Sequence, residues 1–176
     1  MRMLKKLLPD LHLESIYELN LVQLRQRGIK GMITDLDNTL IEWDKPSAPP
    51  ELADWLKQVE NAGFKVTVVS NNNEERVRRF CQPLSIPFIH SARKPFRASF
   101  KKAQQMMALE ADEVVVIGDQ LFTDVLGGNR LNLYTILVVP IAETDGFWTR
   151  FNRRLERIAL YYMRKRGMIS WEKADS

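Results

Sequence analysis

The strongest constraint on what this chain can fold into is an alternation. Short apolar runs bounded by turn signals are separated by stretches with helical periodicity. Four runs read as buried parallel strands: Gly31–Asp37, Lys65–Ser70, Val114–Asp119 and Tyr134–Val139, with a weaker one at Pro87–His90. Between them, Leu52, Trp55, Leu56 and Val59 repeat at helical spacing after Pro49-Pro50, and Gly63 ends that helix. Glu74–Cys81 follows an Asn-rich cap. Pro95 starts a helix reaching about Leu109, with Phe96, Phe100, Ala103 and Met107 as its inner face, and Thr123–Asn129 reads as a short helix. Strand and helix in turn predict an α/β fold: a doubly wound parallel sheet with helices on both faces.

The chain has 176 residues, which suits one domain with a substantial core: 31–139 as the catalytic core, with 1–24 and 148–176 as peripheral amphipathic ends. No apolar run is long enough for a bilayer span, and Met1–Leu8 is too short and too broken for a signal peptide. The single cysteine, Cys81, excludes an internal disulfide and any cysteine-cluster metal site. The expected location is the cytoplasm, with contact at the inner face of the membrane left open. The net charge of +4 is uneven: residues 148–176 carry eight Lys/Arg against three Asp/Glu. There Trp148, Phe151, Leu155, Ile158, Ala159 and Tyr162 fall on one helical face, and Arg150, Arg153, Arg154, Arg157 and Arg164 mostly on the other. That face suits docking on the core or on a membrane.

The chemistry-bearing residues collect at the carboxyl ends of the predicted strands, where open parallel sheets bind ligands. Asp35 and Asp37 end the first strand within Asp35-Leu36-Asp37-Asn38-Thr39. Ser70 and Asn71 end the second, Lys94 follows the third, and Asp119 ends the fourth with Asp124 close behind. Several carboxylates in one place need a cation to stay ionised together. Oxygen ligands without His or Cys select Mg²⁺ over Zn²⁺. A carboxylate nucleophile, a hydroxyl, a lysine and Mg²⁺ make a phosphate site, in which a second carboxylate can act as general acid and then as base.

Each residue also has a blander reading. An isolated Asp pair is more often a turn or cap, Ser70-Asn71-Asn72 could be an N-cap, and Lys94 alone would be a surface lysine. Arg93 and Arg97 read as solvated, His12 and His90 as structural. Cys81 reads as a packed thiol, since a Cys-x₅-Arg loop would need arginine where Pro87 stands.

Taken in order, Asp35-Leu-Asp-Asn-Thr39, Ser70, Lys94 and Gly118-Asp119…Asp124 resemble the four motifs of the haloacid dehalogenase superfamily of phosphatases, over about residues 31 to 128. Leu8-Pro9-Asp10, Ser15-Ile16-Tyr17, Ser70-Asn71-Asn72 and Gly118-Asp119-Gln120 with Thr123-Asp124 are similar to its YqeG/phosphatidylglycerophosphate phosphatase branch, over nearly the whole chain. The resemblance implies Asp35 as nucleophile and metal ligand, with Asp37 as acid/base giving its backbone carbonyl to the metal. It implies Thr39 shaping the loop beside the phosphate, Ser70, Asn71 and Lys94 around that phosphate, and Asp119 completing the Mg²⁺ site, with Asp124 either a direct ligand or one layer behind it. The implied reaction converts phosphatidylglycerophosphate to phosphatidylglycerol.

Spacing adds that the site is uncapped. About 27 residues separate Asp37 from Lys65, and about two dozen separate Ser70 from Lys94, too few for a cap domain. An open site suits a lipid head group, a phosphoprotein or a nucleic-acid end. No nucleic-acid module is recognisable. A non-catalytic binding or assembly protein on the same fold is the reading from another class, and the intact carboxylates speak against it.

Overall fold

Apolar β-branched runs that are buried on both faces can only be central strands of a covered sheet, and the sheet is built from them. The computed structural model describes residues 2–142 and 147–169, and the side chains of 4–142 and 154–169. Six strands, β1 (Leu11–Leu13), β2 (Gly31–Thr34), β3 (Lys65–Val69), β4 (Phe88–Ile89), β5 (Val114–Gly118) and β6 (Tyr134–Val138), form one sheet in the order β1-β6-β5-β2-β3-β4. Every pairing is parallel. The helices are α1 (Arg2–Lys5), α2 (Leu21–Gln26), α3 (Pro50–Asn61), α4 (Glu74–Cys81), α5 (Arg97–Met107), α6 (Leu126–Asn129) and α7 (Phe147–Lys165).

The expected α/β architecture is present, with differences in detail. The strands stop earlier than the apolar runs, so Asp35, Ser70 and Asp119 stand in the loops just past β2, β3 and β5. The amino-terminal segment is not outside the sheet: β1 pairs with β6, Leu11 opposite Ile136 and Leu13 opposite Val138. Asp10 secures this edge, its Oδ2 accepting from the Thr135 amide at 2.8 Å. Helix α5 begins at Arg97, not Pro95. Phe96 is therefore a cap residue and 65% exposed, while Phe100, Ala103 and Met107 face inward as expected. The expected helix at 123–129 is a π-helical turn, Leu121–Val125, running into α6.

One face of the sheet is covered by Leu52, Leu56 and Val59 of α3 with Val77 and Phe80 of α4, and Cys81 is buried among them. The other face packs Phe100, Ala103 and Met107 against Ile33 and Val116. Gly127 permits this closeness, because a Cβ there would collide with the Phe100 ring.

The long carboxyl-terminal helix divides the apolar face that the sequence grouped together. Its inward residues are Glu156, Ala159 and Met163, packed with Leu7, Leu121 and Val125. Leu155, Ile158 and Tyr162, grouped with Ala159 by helical spacing, are exposed. The buried Glu156 sits on this inward side, its Oε1 accepting from the part-buried Phe122 amide at 3.4 Å in the first turn of the π-helical segment. Trp148, Arg150, Phe151 and Arg153 lie outside the described side chains. Among the described residues no helix is long and apolar enough to cross a membrane.

Candidate active site

β2 lies between β5 and β3, and the chain leaves it first toward β3 and β4, then crosses back to β5. The strand order therefore reverses beside β2, and a crevice opens outside the carboxyl ends there. Asp35 continues β2 into this crevice, its amide donating to the Ile117 carbonyl at 2.9 Å. Asp119 follows β5 on the other side. Asn38, at φ 64°, reverses the chain, and its amide donates to the Ile41 carbonyl at 2.7 Å. That tight loop carries Asp35 and Asp37 to one opening, a cavity of about 310 Å³ lined also by Trp43, Ser70, Asn72 and Lys94.

Lys94 is the hub of the floor. Its Nζ lies 2.7 Å from Asp35 Oδ1 and 2.7 Å from Asp124 Oδ1. Burial alone would push this ammonium down, but the two carboxylates outweigh it and hold Lys94 protonated, above its ordinary value. Its backbone is pinned as well, since the Lys94 amide donates to Asn71 Oδ1 at 2.7 Å. Asn71, expected beside the phosphate, thus braces the loop that presents Lys94. The same loop is stitched to β3 by Ala92 donating to the Ser70 carbonyl and Ser91 to that of Asn72.

Below the opening, Asp35, Asp119 and Asp124 each offer a carboxylate oxygen within 4.8 Å of the others. Asp119 and Asp124 are almost fully buried. The hydroxyl of Thr39, expected at the phosphate, donates to Asp119 Oδ1 at 2.8 Å and so orients the carboxylate cluster. Asp124 Oδ2 accepts from the Gln120 amide at 3.3 Å and the Thr123 hydroxyl at 3.2 Å. Burial pushes the Asp124 carboxyl up to about 6; Lys94 opposes this and Asp35 adds to it. Gly118 makes room, because a Cβ there would collide with the Asp124 carboxyl group. Three buried carboxylates balanced by one lysine leave excess negative charge among hard oxygen donors. That donor set fits a divalent cation of the Mg²⁺ type.

Asp37 stands at the rim, less buried than Asp35. Burial raises its carboxyl above the ordinary carboxylate range; Asp35 adds to this, and Asn72 and Arg76 oppose it. Asn72 Nδ2 donates to Asp37 Oδ2 at 2.9 Å. Arg76 Nε and Nη2 both donate to Asp37 Oδ1, at 3.1 and 2.9 Å. Sequence reasoning missed Arg76. Its signal was positional: Asn73 caps α4 by accepting from the Arg76 amide, which places Arg76 one turn into the helix that follows Ser70.

A second cavity, about 320 Å³, lies at the opposite end of the sheet. Its cations are already engaged: Arg25 with the Ala62 carbonyl, Lys30 with Glu113 and Lys65 with the Met107 carbonyl. None of the residues lining it is acidic.

Along its length the chain is similar to known phosphatases. The family described as mitochondrial PGP phosphatase matches residues 1–142. The probable phosphatase YqeG of Bacillus subtilis (strain 168) is 54% identical over 172 residues, covering 97% of this chain and 100% of that protein. A phosphatidylglycerophosphate phosphatase 1 (chloroplastic/mitochondrial) of Arabidopsis thaliana is 25% identical over 178 residues, covering 92% of this chain and 49% of that protein. Among solved structures, the cobalt-bound deoxy-D-mannose-octulosonate 8-phosphate phosphatase of Haemophilus influenzae superposes with a TM-score of 0.53 at 18% identity, covering 78% of this chain and 90% of that one. The last likeness is one of fold.

Proposed function

This chain belongs to the PGP phosphatase family and is a phosphatase of the haloacid dehalogenase type, and from that premise we propose that it is a Mg²⁺-dependent phosphomonoesterase acting through an aspartyl-phosphate, with phosphatidylglycerophosphate as substrate and phosphatidylglycerol as product. The observation that carries the chemistry is the contact of Lys94 with Asp35 at 2.7 Å, in the crevice above three clustered carboxylates.

Asp35 attacks phosphorus, and the new Asp35–phosphorus bond forms as the bond to the leaving oxygen breaks. Asp37 gives its proton to that leaving oxygen. It then takes a proton from the water that attacks phosphorus and releases Asp35. Ser70 and the Lys94 ammonium screen the transferring group, while Asn71 holds the Lys94 backbone in place. Asp35, Asp119, Asp124 and the Asp37 backbone carbonyl would hold Mg²⁺, with Thr39 orienting Asp119. When bound, the ion neutralises charge on the phosphoryl oxygens.

Two features support a lipid substrate. The Arabidopsis relative bears the name of that activity. The segment between β2 and β3 contains one helix, α3, and the catalytic cavity is open with the half-exposed Trp43 in its wall. The protein then works at the inner face of a membrane, which α7 contacts through its exposed Leu155, Ile158 and Tyr162.

The test is turnover of phosphatidylglycerophosphate in vesicles against small phosphomonoesters, with and without Mg²⁺. A preference for the lipid, abolished by chelation, is expected. Equal or better turnover of phosphorylated peptides or nucleic-acid ends would overturn the substrate, and turnover of nothing would leave a binding protein on this fold.

A further inference from the structure

Asp37 is held from two directions. One oxygen, Oδ1, takes two hydrogen bonds from Arg76, and the other, Oδ2, takes one from Asn72. A carboxylate oxygen offers about two lone-pair directions. Oδ1 is therefore saturated, and one direction on Oδ2 is left for a reacting proton. The Arg76 guanidinium is itself fixed: Nη2 also donates to the Glu42 carbonyl at 3.3 Å, and its side chain is only 13% exposed. Its Nη1 is buried with no hydrogen-bond partner among the described residues. Among the described residues, the hydrogen bonds of this guanidinium go to Asp37 and to the Glu42 carbonyl of the same loop.

We propose that Arg76 is a positioning residue for the phosphatase reaction: its forked contact fixes Asp37 so that Oδ2 faces the leaving oxygen in the first half-reaction and the attacking water in the second. The inference rests on Asp37 being the proton donor and acceptor. Two donors of one rigid guanidinium converge on Oδ1, and that guanidinium is held at the Glu42 carbonyl, so they fix where this oxygen points as well as supplying charge. A lysine would restore the charge on a flexible stem and lose the rigid two-point hold. Asn72 alone would leave the carboxylate free to rotate about its Cβ–Cγ bond. Misplacement of a reacting group by about 1 Å can cost on the order of 10²-fold. That loss should fall only on the steps in which Asp37 transfers a proton.

Leaving groups separate these steps. A simple alkyl phosphate expels a strongly basic alkoxide, which needs a proton as the bond breaks. p-Nitrophenyl phosphate expels a stable phenolate, which does not. The experiment measures single-turnover release of the leaving group from both substrates, in the Mg²⁺-loaded wild type, Arg76→Ala, Arg76→Lys, Asp37→Asn and the Arg76→Ala/Asp37→Asn double variant. Melting temperatures are recorded alongside.

Arg76→Ala and Arg76→Lys should each lose about 10–10²-fold on the alkyl phosphate and barely change in phenolate release. Decay of the aspartyl-phosphate, trapped by acid quench, should slow in both. In the Asp37→Asn background, Arg76→Ala should cost nothing more, since a residue acting only through another has no effect once that other is removed. Equal losses on both substrates, additivity in the double variant, or full rescue by lysine would each overturn the proposal. If Arg76→Ala fails to fold, Arg76→Lys carries the same leaving-group test. If Asp37→Asn itself treats the two substrates alike, the reading of Asp37 has failed and Arg76 falls with it. If only the Arg76 variants do so, Asp37 keeps its role.

Discussion

Lys94 and Asp124 form a buried ion pair, Nζ to Oδ1 at 2.7 Å, on the far side of the lysine from Asp35. One ammonium thus answers two carboxylates whose mutual repulsion a buried floor would otherwise magnify. Removing one member of such a pair leaves an uncompensated charge and costs about 3–5 kcal/mol. Lys94→Met should melt well below wild type in EDTA, and saturating Mg²⁺ should recover part of the difference. Turnover should fall about 10²–10³-fold, the scale of losing one preorganised donor to a transition state. A variant with wild-type melting and near-wild-type turnover would remove Lys94 from the centre of the site.

Asp35 and Asp37 should fail differently. Asp35→Asn replaces the attacking oxygen with a neutral amide, and the expected loss is on the order of 10⁶-fold, the scale for deleting a covalent nucleophile. Asp37→Asn leaves attack possible and removes proton transfer, for about 10²–10⁴-fold. Both should stay folded: Lys94 keeps Asp124 as its counter-ion in Asp35→Asn, and the Asp37 pair lies at the less buried rim. Phosphate release by highly purified Asp35→Asn at more than a trace of the wild-type rate would show that another group attacks phosphorus.

The cation should couple to pH through Asp124. Its carboxyl ordinarily titrates near 3.8 and is pushed up to about 6 in the fold, chiefly by burial. The folded protein therefore keeps a proton that the unfolded chain has released. The stability this proton confers on the metal-free protein is fully present below the unfolded value and is lost as pH rises through about 6. Asp37, also raised, adds in the same direction. A cation needs the ionised carboxylates, so its stabilising effect should grow over the same window. At one hundred times its dissociation constant it would contribute about 2.7 kcal/mol. Thermal shifts with Mg²⁺ at pH 5 and pH 7.5 check this; a larger shift at pH 5 would contradict it.

Gly118 offers a test that touches no polar atom. A methyl group there meets the carboxyl carbon of Asp124, which is pinned by Lys94, Gln120 and Thr123 and has nowhere to go. Gly118→Ala should therefore displace Asp124, weaken Mg²⁺ binding and lower turnover. Calorimetric titration with Mg²⁺ that gives wild-type affinity would mean that Asp124 lies outside the ion's reach.

The strand-end residues were legible because periodicity and turn signals locate strand ends, and open sheets put ligands there. Asp35, Ser70 and Asp119 stand just past β2, β3 and β5 as that rule expects, whereas Lys94 was singled out only by its place in the series of motifs. Strand β1 was not legible: Leu11-His12-Leu13 is too short to show a period, and its pairing partner β6 lies more than a hundred residues away. The packed side of α7 was hidden for another reason. Hydrophobicity grouped Leu155 and Ile158 with Ala159 on one face, but the side that packs carries Glu156, Ala159 and Met163, with Glu156 accepting from the Phe122 amide. Arg76 was invisible in the hydrophobic pattern, because the face it occupies is defined by Asp37, far away in sequence. Local rules report strand ends well; they do not report which charge a helix residue meets across a loop.

The packing of α7 sharpens one last expectation. With Ala159 and Met163 turned inward, Leu155, Ile158 and Tyr162 form an exposed strip at helical spacing, and Arg154 and Arg157 are exposed beside it. An apolar strip flanked by cations suits the interface of an anionic bilayer. Each arginine near such a surface contributes about 1 kcal/mol, within a Debye length. Arg154→Glu with Arg157→Glu exchanges two attractions for two repulsions, which is on the order of 4 kcal/mol, or roughly a thousandfold in partitioning at low salt. Ile158→Ser should weaken binding with less dependence on salt, because it removes apolar area and no charge. Neither change reaches the catalytic cavity, so hydrolysis of a soluble phosphomonoester should hold while turnover of vesicle-borne lipid falls. Co-sedimentation with anionic vesicles at two salt concentrations measures the partitioning directly. Equal sedimentation of wild type and the double reversal would mean that the strip faces water, and that the substrate reaches Asp35 without help from α7.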